Sequence, residues 1–366
     1  MSGESLHAKR VESVTSAVVG VVHAVSLSIH AIGAGLAHTT GLNAKHAIKQ
    51  VDRLLSNPAF NVWELFASWV PYVLAAKPAI VVALDWTDFD ADGHSTVVAS
   101  LVTGHGRATP LVWMSVKKAA LKGRRNAYED TVLLRLREVV PPGVKVTVVA
   151  DRGFGDQALY AHLRDLGFDF IIRFRGGVVV ESCDGEVRPA REWVPPNGKT
   201  RHLKDARVTA DRYPVDSVVC VKARGMKDAW CLAVGGATIT GATAVKLYAR
   251  RFTIEETFRD TKDSRYGLGL SATHVRDVKR RDRLLLICAM AMTLLTVLGA
   301  AGESLGMDRM LKANTVKTRT HSLFRQGCHY YASIPAMKQE LLEPLVQRFG
   351  EYVLAQPVYV QAFGLK

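Results

Sequence analysis

Paired cysteines are missing from this sequence of 366 residues. Its cysteines are odd in number, lie far apart and form no C-x-x-C pair; they are Cys183, Cys220, Cys231, Cys288 and Cys328. This spacing argues against a disulfide framework or a zinc knuckle, and it suits a reducing cytoplasm.

Internal repeats and low-complexity tracts are also absent, which argues against a solenoid. Long apolar runs are few. Residues 16–37 are interrupted by His23 and His30, and residues 284–300 only just reach the length of a membrane span. We therefore expect both stretches to be buried helices of a protein without a membrane segment.

Acidic residues are in deficit. The chain has 34 Asp and Glu against 48 Lys and Arg, a net charge of +14 and a pI near 9.6. A surplus of this size usually serves a polyanion, through neutralisation of its phosphates. The alternative is a charge that only keeps the protein soluble. We expect a nucleic acid as partner.

Residues 1–77 have a helical pattern and form the first predicted region. Within it Lys45, Lys49 and Arg53 stand four residues apart and form a basic stripe beside an apolar face. Such a stripe is either a solvated helix face or a DNA contact. We interpret this region as a helical N-terminal DNA-binding region.

Residues 78–175 have an α/β pattern. Apolar runs at 80–84, 95–102 and 110–116 are joined by short turns, and the first turn contains Asp90-Ala91-Asp92-Gly93. Helices are then predicted at about 127–140 and 156–166, and strands at 145–150 and 168–174. This order predicts a mixed sheet of the RNase H fold, with 78–175 as the first part of its core.

The rest of the chain divides into three predicted parts. Residues 176–236 contain short valine-rich runs between Gly, Pro and charged clusters, which indicates a β-rich insertion. A helical pattern resumes at about 243–263, within a core segment at 237–275. Residues 276–366 are predicted to be a helical C-terminal region.

Two carboxylates follow predicted strands. Asp85 ends the first apolar run and Asp151 ends the fourth. An Asp at a strand end is commonly only a turn or cap residue. If the two strands are neighbours, however, the pair could share Mg²⁺, which prefers oxygen ligands.

A polar row lies on the later helix. On a continuous helix Tyr248, Arg251, Glu255 and Lys262 occupy one arc of about 60°, whereas Glu256 points away. The row is either an exposed face joined by ion pairs, or a metal carboxylate among phosphate-binding groups.

These four residues match the signature Y-x2-R-x3-E-x6-K of cut-and-paste transposases in the fourth insertion-sequence family. The segments IKQVDRLLSN (48–57), LDWTD (84–88), IEETFRDTKDSRYGLGL (254–270) and ANTVKTR (313–319) resemble the subgroup around insertion sequence ten. The resemblance implies an RNase-H-like catalytic core, with the β-rich insertion placed before the glutamate.

The resemblance also implies roles for residues. Asp85, Asp151 and Glu255 would be the catalytic DDE triad and would hold two Mg²⁺ ions, which Mn²⁺ can replace. Tyr248, Arg251 and Lys262 would hold the transposon end. Trp230 stands where a family tryptophan stacks on a flipped base, although an aromatic residue between strands is as often part of a core.

Basic clusters flank the predicted core and are interpreted as loops that contact phosphates. The clusters are Lys117, Lys118, Lys122, Arg124 and Arg125; Arg276, Lys279, Arg280, Arg281 and Arg283; and Lys312, Lys317 and Arg319. Solvated loops are the alternative for each of them.

The function implied is that of a DNA transposase. It would bind terminal inverted repeats in double-stranded DNA, cut them through a hairpin and join the 3′-OH ends to target DNA. A homodimer in the bacterial cytoplasm, associated with the nucleoid, is expected, because both ends must be held together. The alternatives are a domesticated DNA-binding protein that no longer cuts, and an RNase-H-fold nuclease without strand transfer.

Overall fold

The computed structural model describes residues 8–75, 77–265 and 267–355. The described chain begins with the helices α1 (Ala8–Ala24), α2 (Ile29–Thr40), α3 (Ala44–Ser56) and α4 (Val62–Leu74). The side chain of Asn43 accepts a hydrogen bond from the backbone N–H of Lys45 and so caps α3, which ends before Asn57 and Pro58. The N-terminal region is thus helical over its described part, and its role in DNA binding stays a prediction.

A single mixed sheet forms the centre of the described protein. Its strands are β1 (Ala79–Phe89), β2 (His94–Val102), β3 (Ala108–Lys117), β4 (Lys145–Ala150), β5 (Asp169–Phe174), β6 (Val179–Glu181), β7 (Val187–Pro189), β8 (Arg201–Val208), β9 (Tyr213–Val221) and β10 (Trp230–Gly235). Their order across the sheet is β3-β2-β1-β4-β5-β10-β9-β8-β6-β7. The pairs β1–β4 and β4–β5 are parallel, and the other pairs are antiparallel. The predicted mixed α/β sheet is therefore present.

Helices complete the fold on both sides of this sheet. They are α5 (Arg125–Val139), α6 (Gln157–Asp165), α7 (Gly241–Ala249), α8 (Thr253–Lys262), α9 (Val278–Ser304), α10 (Leu323–Ser333) and α11 (Gln339–Leu354). The helices α5 and α6 connect β3 to β4 and β4 to β5. Because a parallel pair of strands needs a crossover, α6 lets β4 and β5 run in the same direction.

The two faces of the sheet pack against different elements. On one face Ala83, Val149, Leu232 and other small or branched residues form a compact cluster with α7 and with Ile254 of α8. On the other face alternate residues join a larger core that also contains side chains of α1 to α6 and α9. Since side chains alternate along a strand, the face of each residue follows from its register.

The predicted insertion is not a separate unit. Its last strand, β10, pairs with β5 of the core, with Ala233 opposite Ile172. The strands β6 to β9 then extend the same sheet outward. The segment contains strands, and they continue the core sheet through the pairing of β10 with β5; its role as an insertion stays a prediction.

The predicted helix at about 243–263 is not continuous. A 3-10 turn at Arg250–Phe252 separates α7 from α8. Because a 3-10 turn has 3.0 residues per turn, Tyr248 lies rotated relative to Glu255 and Lys262 from the position expected on a regular helix.

Helix α9 contains the apolar stretch at residues 284–300. It is long and apolar enough to cross a membrane, but 61% of its most apolar window is buried inside the protein. Residues 11–24 of α1 also pass the same test together with α2, as a pair bent by 98°. Burial of α9 against the sheet agrees with the expected core helix. The five cysteines lie in the described part of the chain and are free thiols.

Candidate active site

Asp85 and Asp151 lie side by side where the parallel pairing of β1 with β4 ends. Asp85 lies within β1 and not at its end as expected, because β1 continues to Phe89 in its pairing with β2. The strands β1 and β4 are parallel neighbours, and Leu84 pairs with Ala150, so each aspartate directly follows a paired residue. Both side chains fall on the face of Ala83 and Val149, beneath α7 and α8. Asp85 Oδ1 accepts a hydrogen bond of 2.9 Å from its neighbour's backbone N–H. Asp151 Oδ1 accepts one of 2.7 Å from the N–H of Gly153.

Glu255 comes to these aspartates through Arg251. The Nη1 atom of Arg251 lies 3.0 Å from Asp85 Oδ2, and its Nη2 atom lies 2.7 Å from Glu255 Oε1. The side chain of Arg251 is only 5% exposed, whereas that of Glu255 is 53% exposed. One buried guanidinium therefore joins a carboxylate of β1 to a carboxylate of α8.

The carboxylates influence one another. Burial raises the pKa of Asp85 to about 6, against an ordinary 3.8. The positive charge of Arg251 and the N–H of Trp86 oppose this rise in pKa, while the negative charges of Asp151 and Glu255 add to it. Asp151 and Glu255 thus both lie within electrostatic reach of Asp85.

The donor set fits a hard divalent cation. Within residues 8–75, 77–265 and 267–355, no three Asp, Glu, His or Cys side chains already lie close enough to form a metal cluster. The oxygen donors of Asp85, Asp151 and Glu255 are nevertheless the type that Mg²⁺ prefers. Their repulsion, which helps to raise the pKa of Asp85, is what a bound cation would relieve. Arg251 supplies a positive charge between two of them.

Three aromatic side chains surround Arg251. The rings of Trp230 and Tyr248 lie 4.8 Å apart edge to face, and Phe252 lies 6.2 Å from Trp230. The guanidinium carbon lies 4.9 Å from the Phe252 ring centroid and 5.9 Å from that of Tyr248. Tyr248 is 1% exposed and its ring packs beside Arg251, and its predicted contact with DNA stays a prediction. Trp230 is half-buried and Phe252 is exposed.

Lys262 lies at the far end of α8. Its Nζ donates to the carbonyl oxygen of Asp88 at 2.6 Å and lies 5.2 Å from the ring centroid of Phe89. Burial lowers its pKa. Lys118 lies next to it, with its Nζ 3.1 Å from Asp88 Oδ2. The end of β1 therefore holds two lysines beside the acidic site.

A second cluster on the other face of β1 was not predicted. Trp86 follows Asp85, and its Nε1 donates to Glu129 Oε1 at 2.6 Å. Arg125 lies 3.4 Å from the same carboxylate and 5.0 Å from the Trp86 ring centroid. Burial raises the pKa of Glu129. The spacing of Arg125 and Glu129 on a helix was a signal for this pair, while the contact with Trp86 had none.

Most of the other predicted DNA contacts are on the surface. Lys45, Lys49 and Arg53 are exposed on α3. Lys117 and Arg124 are exposed between β3 and α5, on the side of the sheet where Arg125 lies. The structure brings none of these five residues into contact with the three carboxylates, and their role stays a prediction.

The cluster around Arg280 is different from its prediction. Lys279, Arg280, Arg281 and Arg283 lie in the first turns of helix α9, and only Arg276 lies in the loop before it. Arg281 is fully buried, pairs with Asp92 and lies 4.0 Å from the Phe89 ring centroid. Its Nε lies 3.1 Å from His94 Nδ1. Arg281 and its partner Asp92 have buried side chains, so no phosphate reaches Arg281 in this arrangement, and its predicted DNA contact stays a prediction.

Other members of the basic clusters also have hydrogen-bond or ion-pair partners within the protein. Arg280 pairs with Asp52 of α3 at 2.6 Å, and Arg283 donates to the carbonyl oxygens of Leu55 and Phe60. In the third cluster Lys312 pairs with Asp308, and Arg319 pairs with Glu303. These arginines and lysines join elements of the fold, so the sequence overestimated the charge that is free to meet DNA.

Sheet order and acidic residues together define a class of protein. DDE enzymes that act on nucleic acids are expected to have a mixed sheet with acidic residues on two adjacent parallel strands. A third acidic residue is expected on a helix over the same face. Here Asp85 lies within β1, Asp151 directly follows β4, and Glu255 lies on α8. The model of the family described as "Transposase DDE domain" matches residues 76–294, more than half of the chain. The chain belongs to this family and is a DDE transposase of the insertion-sequence type. No curated protein matches it.

Proposed function

We propose that this transposase binds the terminal inverted repeats of its own element, cuts them and joins their 3′-OH ends to target DNA. Asp85, Asp151 and Glu255 would be the metal-binding catalytic carboxylates. The observation that carries the proposal is the pairing of Leu84 with Ala150, because it sets the two following aspartates side by side on adjacent parallel strands. Arg251 then links Glu255 to Asp85.

The chain's own residues would each have a part in this reaction. Bound Mg²⁺, or Mn²⁺ in its place, would supply the activation of water or of a 3′-OH and the stabilisation of the leaving oxygen. The three carboxylates would hold the ions, and Lys262 would offer a positive charge to the DNA backbone at the end of β1. Arg251 would also offer its charge to the DNA backbone once its ion pairs with Asp85 and Glu255 open.

A hairpin route is supported by the position of Trp230. A hairpin requires the 3′-OH of one strand to attack the opposite strand, and an extra-helical base makes this turn possible. Trp230 is half-buried beside Tyr248, and Phe252 lies next to it at the surface. We propose that a flipped base stacks on this aromatic group, as in the fourth insertion-sequence family.

DNA outside the cleavage site would be held by the exposed basic residues. Lys45, Lys49 and Arg53 form one stripe on α3, and Lys117, Arg124 and Arg125 form a second group near the end of β1. We propose residues 1–77 as an N-terminal DNA-binding region. Two copies of the chain would hold the two ends of the element, since both ends must be cut and joined together.

The deciding experiment uses the full chain, Mg²⁺ and DNA that carries the ends flanking its gene, resolved strand by strand on a denaturing gel. A nick that matures into a hairpin, and is absent with Asp85→Ala, would support the proposal. Cleavage without joining to a target plasmid would identify a nuclease without strand transfer. Tight binding without cleavage, in Mg²⁺ or Mn²⁺, would identify a DNA-binding protein that no longer cuts.

A further inference from the structure

Arg251 occupies an unusual position for a residue expected to bind DNA. Both of its terminal nitrogens are engaged by acidic groups of the proposed triad, at 3.0 Å and 2.7 Å. Its Nε is buried and has no hydrogen-bond partner. With the guanidinium committed in this way, a phosphate cannot reach the two nitrogens that would best bind it.

The position of Arg251 between Asp85 and Glu255 has an electrostatic cause. Asp85 is largely buried, and Asp151 and Glu255 are close enough to add their negative charges to its environment. Taking a carboxylate out of water is costly unless a positive group compensates it. The guanidinium of Arg251 does so for the buried Asp85, and it pairs at the same time with the exposed Glu255. It contributes one positive charge at the place where a divalent cation bound to the same two carboxylates would contribute two.

We propose that Arg251 is a positioning residue that holds Asp85 and Glu255 in place of a divalent cation, and that metal binding displaces it. The inference rests on the proposed metal-binding role of these carboxylates. Arg251 thereby keeps the acidic groups together in the metal-free protein. It also competes with the metal, because both need the same carboxylate oxygens.

The surroundings of Arg251 allow such a displacement. Glu255, one of its two partners, is 53% exposed, so this ion pair opens directly to solvent. The rings of Phe252 and Tyr248 lie within cation–π distance of the guanidinium. They would retain it near the site after both ion pairs open. Its two free nitrogens would then match the paired oxygens of a phosphate.

This exchange couples metal and DNA. A cation that takes the carboxylates releases Arg251 for the DNA backbone, and a phosphate that takes Arg251 releases the carboxylates for the cation. Because coupling between two binding events is reciprocal, transposon-end DNA must raise the affinity for metal by the same factor that metal raises the affinity for DNA. This positive coupling passes through Arg251.

The test is a calorimetric titration of metal-free protein with Mg²⁺, without DNA. Arg251→Gln keeps a polar side chain but removes the charge, and we expect it to bind Mg²⁺ about tenfold more tightly than the wild type, a typical coupling factor. Arg251→Lys should lie between the two, because one ammonium cannot bridge both carboxylates as a guanidinium does. Thermal unfolding gives a second readout. Mg²⁺ should raise the Tm of Arg251→Gln by more than that of the wild type.

Arg250→Gln is the matched control. It removes the same charge from the adjacent position of the same 3-10 turn, where Arg250 lines a different cavity, and it should leave Mg²⁺ affinity near that of the wild type. Equal or weaker Mg²⁺ binding by Arg251→Gln would overturn the inference. Should that variant fail to fold, equal affinity of Arg251→Lys and the wild type would overturn it. If no protein binds Mg²⁺ or Mn²⁺, the proposed metal site itself fails.

Discussion

Glu255 and Glu256 are neighbours in α8, yet they pair with different arginines. Glu255 Oε1 lies 2.7 Å from Arg251, which also holds Asp85. Glu256 Oε2 lies 3.8 Å from Arg107 at the start of β3 and also pairs with Arg259. Because neighbouring residues point about 100° apart on a helix, Glu255 points to the candidate site and Glu256 points away from it.

The first prediction uses this pair. Glu255→Gln should reduce cleavage of end DNA by about a thousandfold or more, as loss of a catalytic group usually does. Binding of the same DNA should not weaken, because Glu255 offers no positive charge to phosphates and its loss frees one nitrogen of Arg251. Glu256→Gln removes the same charge from the next position and should keep cleavage. A gel assay beside a binding assay measures both, and equal loss of cleavage in the two variants would contradict the role of Glu255.

The second prediction concerns Trp230. Trp230→Ala should leave the first nick within a few-fold of the wild type and slow hairpin formation by roughly 5- to 150-fold, the worth of one stacked base. Trp230→Phe keeps a ring beside Tyr248 and should retain part of the hairpin rate. Quenched time courses on strand-labelled DNA separate the two steps. If the nick slows equally, Trp230 serves the core and no base stacks on it.

The third prediction contrasts an exposed lysine with a buried arginine. Lys49→Ala should weaken DNA binding and reduce the slope of log affinity against log salt by about 1, as expected for one lost phosphate contact.

Arg281→Met should lower the free energy of unfolding by about 3–5 kcal/mol, because it leaves the buried Asp92 without its arginine partner. Its salt slope should stay that of the wild type. A reduced slope in Arg281→Met, at full stability, would identify it as a DNA contact.

The fourth prediction concerns pH. Asp85 has a pKa of about 6 in the folded protein and 3.8 as its ordinary value, so the folded chain holds this proton more tightly than the unfolded chain does. The contribution of Asp85 to stability therefore falls as pH rises from about 4 to 6, by up to about 3 kcal/mol. Asp85→Asn removes this loss of stability, because an asparagine side chain carries no charge to bury.

Urea unfolding in EDTA measures the effect. The Asp85→Asn variant should be more stable than the wild type at pH 8, and the two should be nearly equal near pH 4. Added Mg²⁺ should narrow the difference at pH 8, because it stabilises only the protein with the charged carboxylate. A variant that is less stable than the wild type at pH 8 would contradict the assigned environment of Asp85.

Local patterns predicted most of the core. The apolar run at 145–150 coincides with β4, and the helix expected at 127–140 is α5, because Pro141, Pro142 and Gly143 end it sharply. The adjacency of β1 and β4 followed from the order of elements. These features depend on residues that are close in sequence or on a known strand order, and both can be read without tertiary contacts.

Long-range packing could not be predicted. No local signal shows that β10 pairs with β5, or that the 3-10 turn at Arg250–Phe252 interrupts a sequence of good helix formers. The burial of Arg281 depends on Asp92, far away in the chain. A run of arginines is usually solvated, so the sequence alone favoured the wrong environment. Likewise the spacing of Arg251 and Glu255 suggested their ion pair, but not the one with Asp85.

The strands β6 to β10 belong to the same sheet as the core strands, which limits the changes of sequence and length that this transposase can accept. Because β10 is hydrogen-bonded to β5, Trp230 and the two aspartates keep a fixed spacing, about 5 Å for each strand between them. A shift of β10 by one residue would turn Trp230 to the opposite face and bring Cys231 in its place. The segment from β6 to β10 is therefore unsuited to exchange as a cassette between relatives, whereas the short hairpin of β6 and β7 at the sheet edge is where length variation would be tolerated.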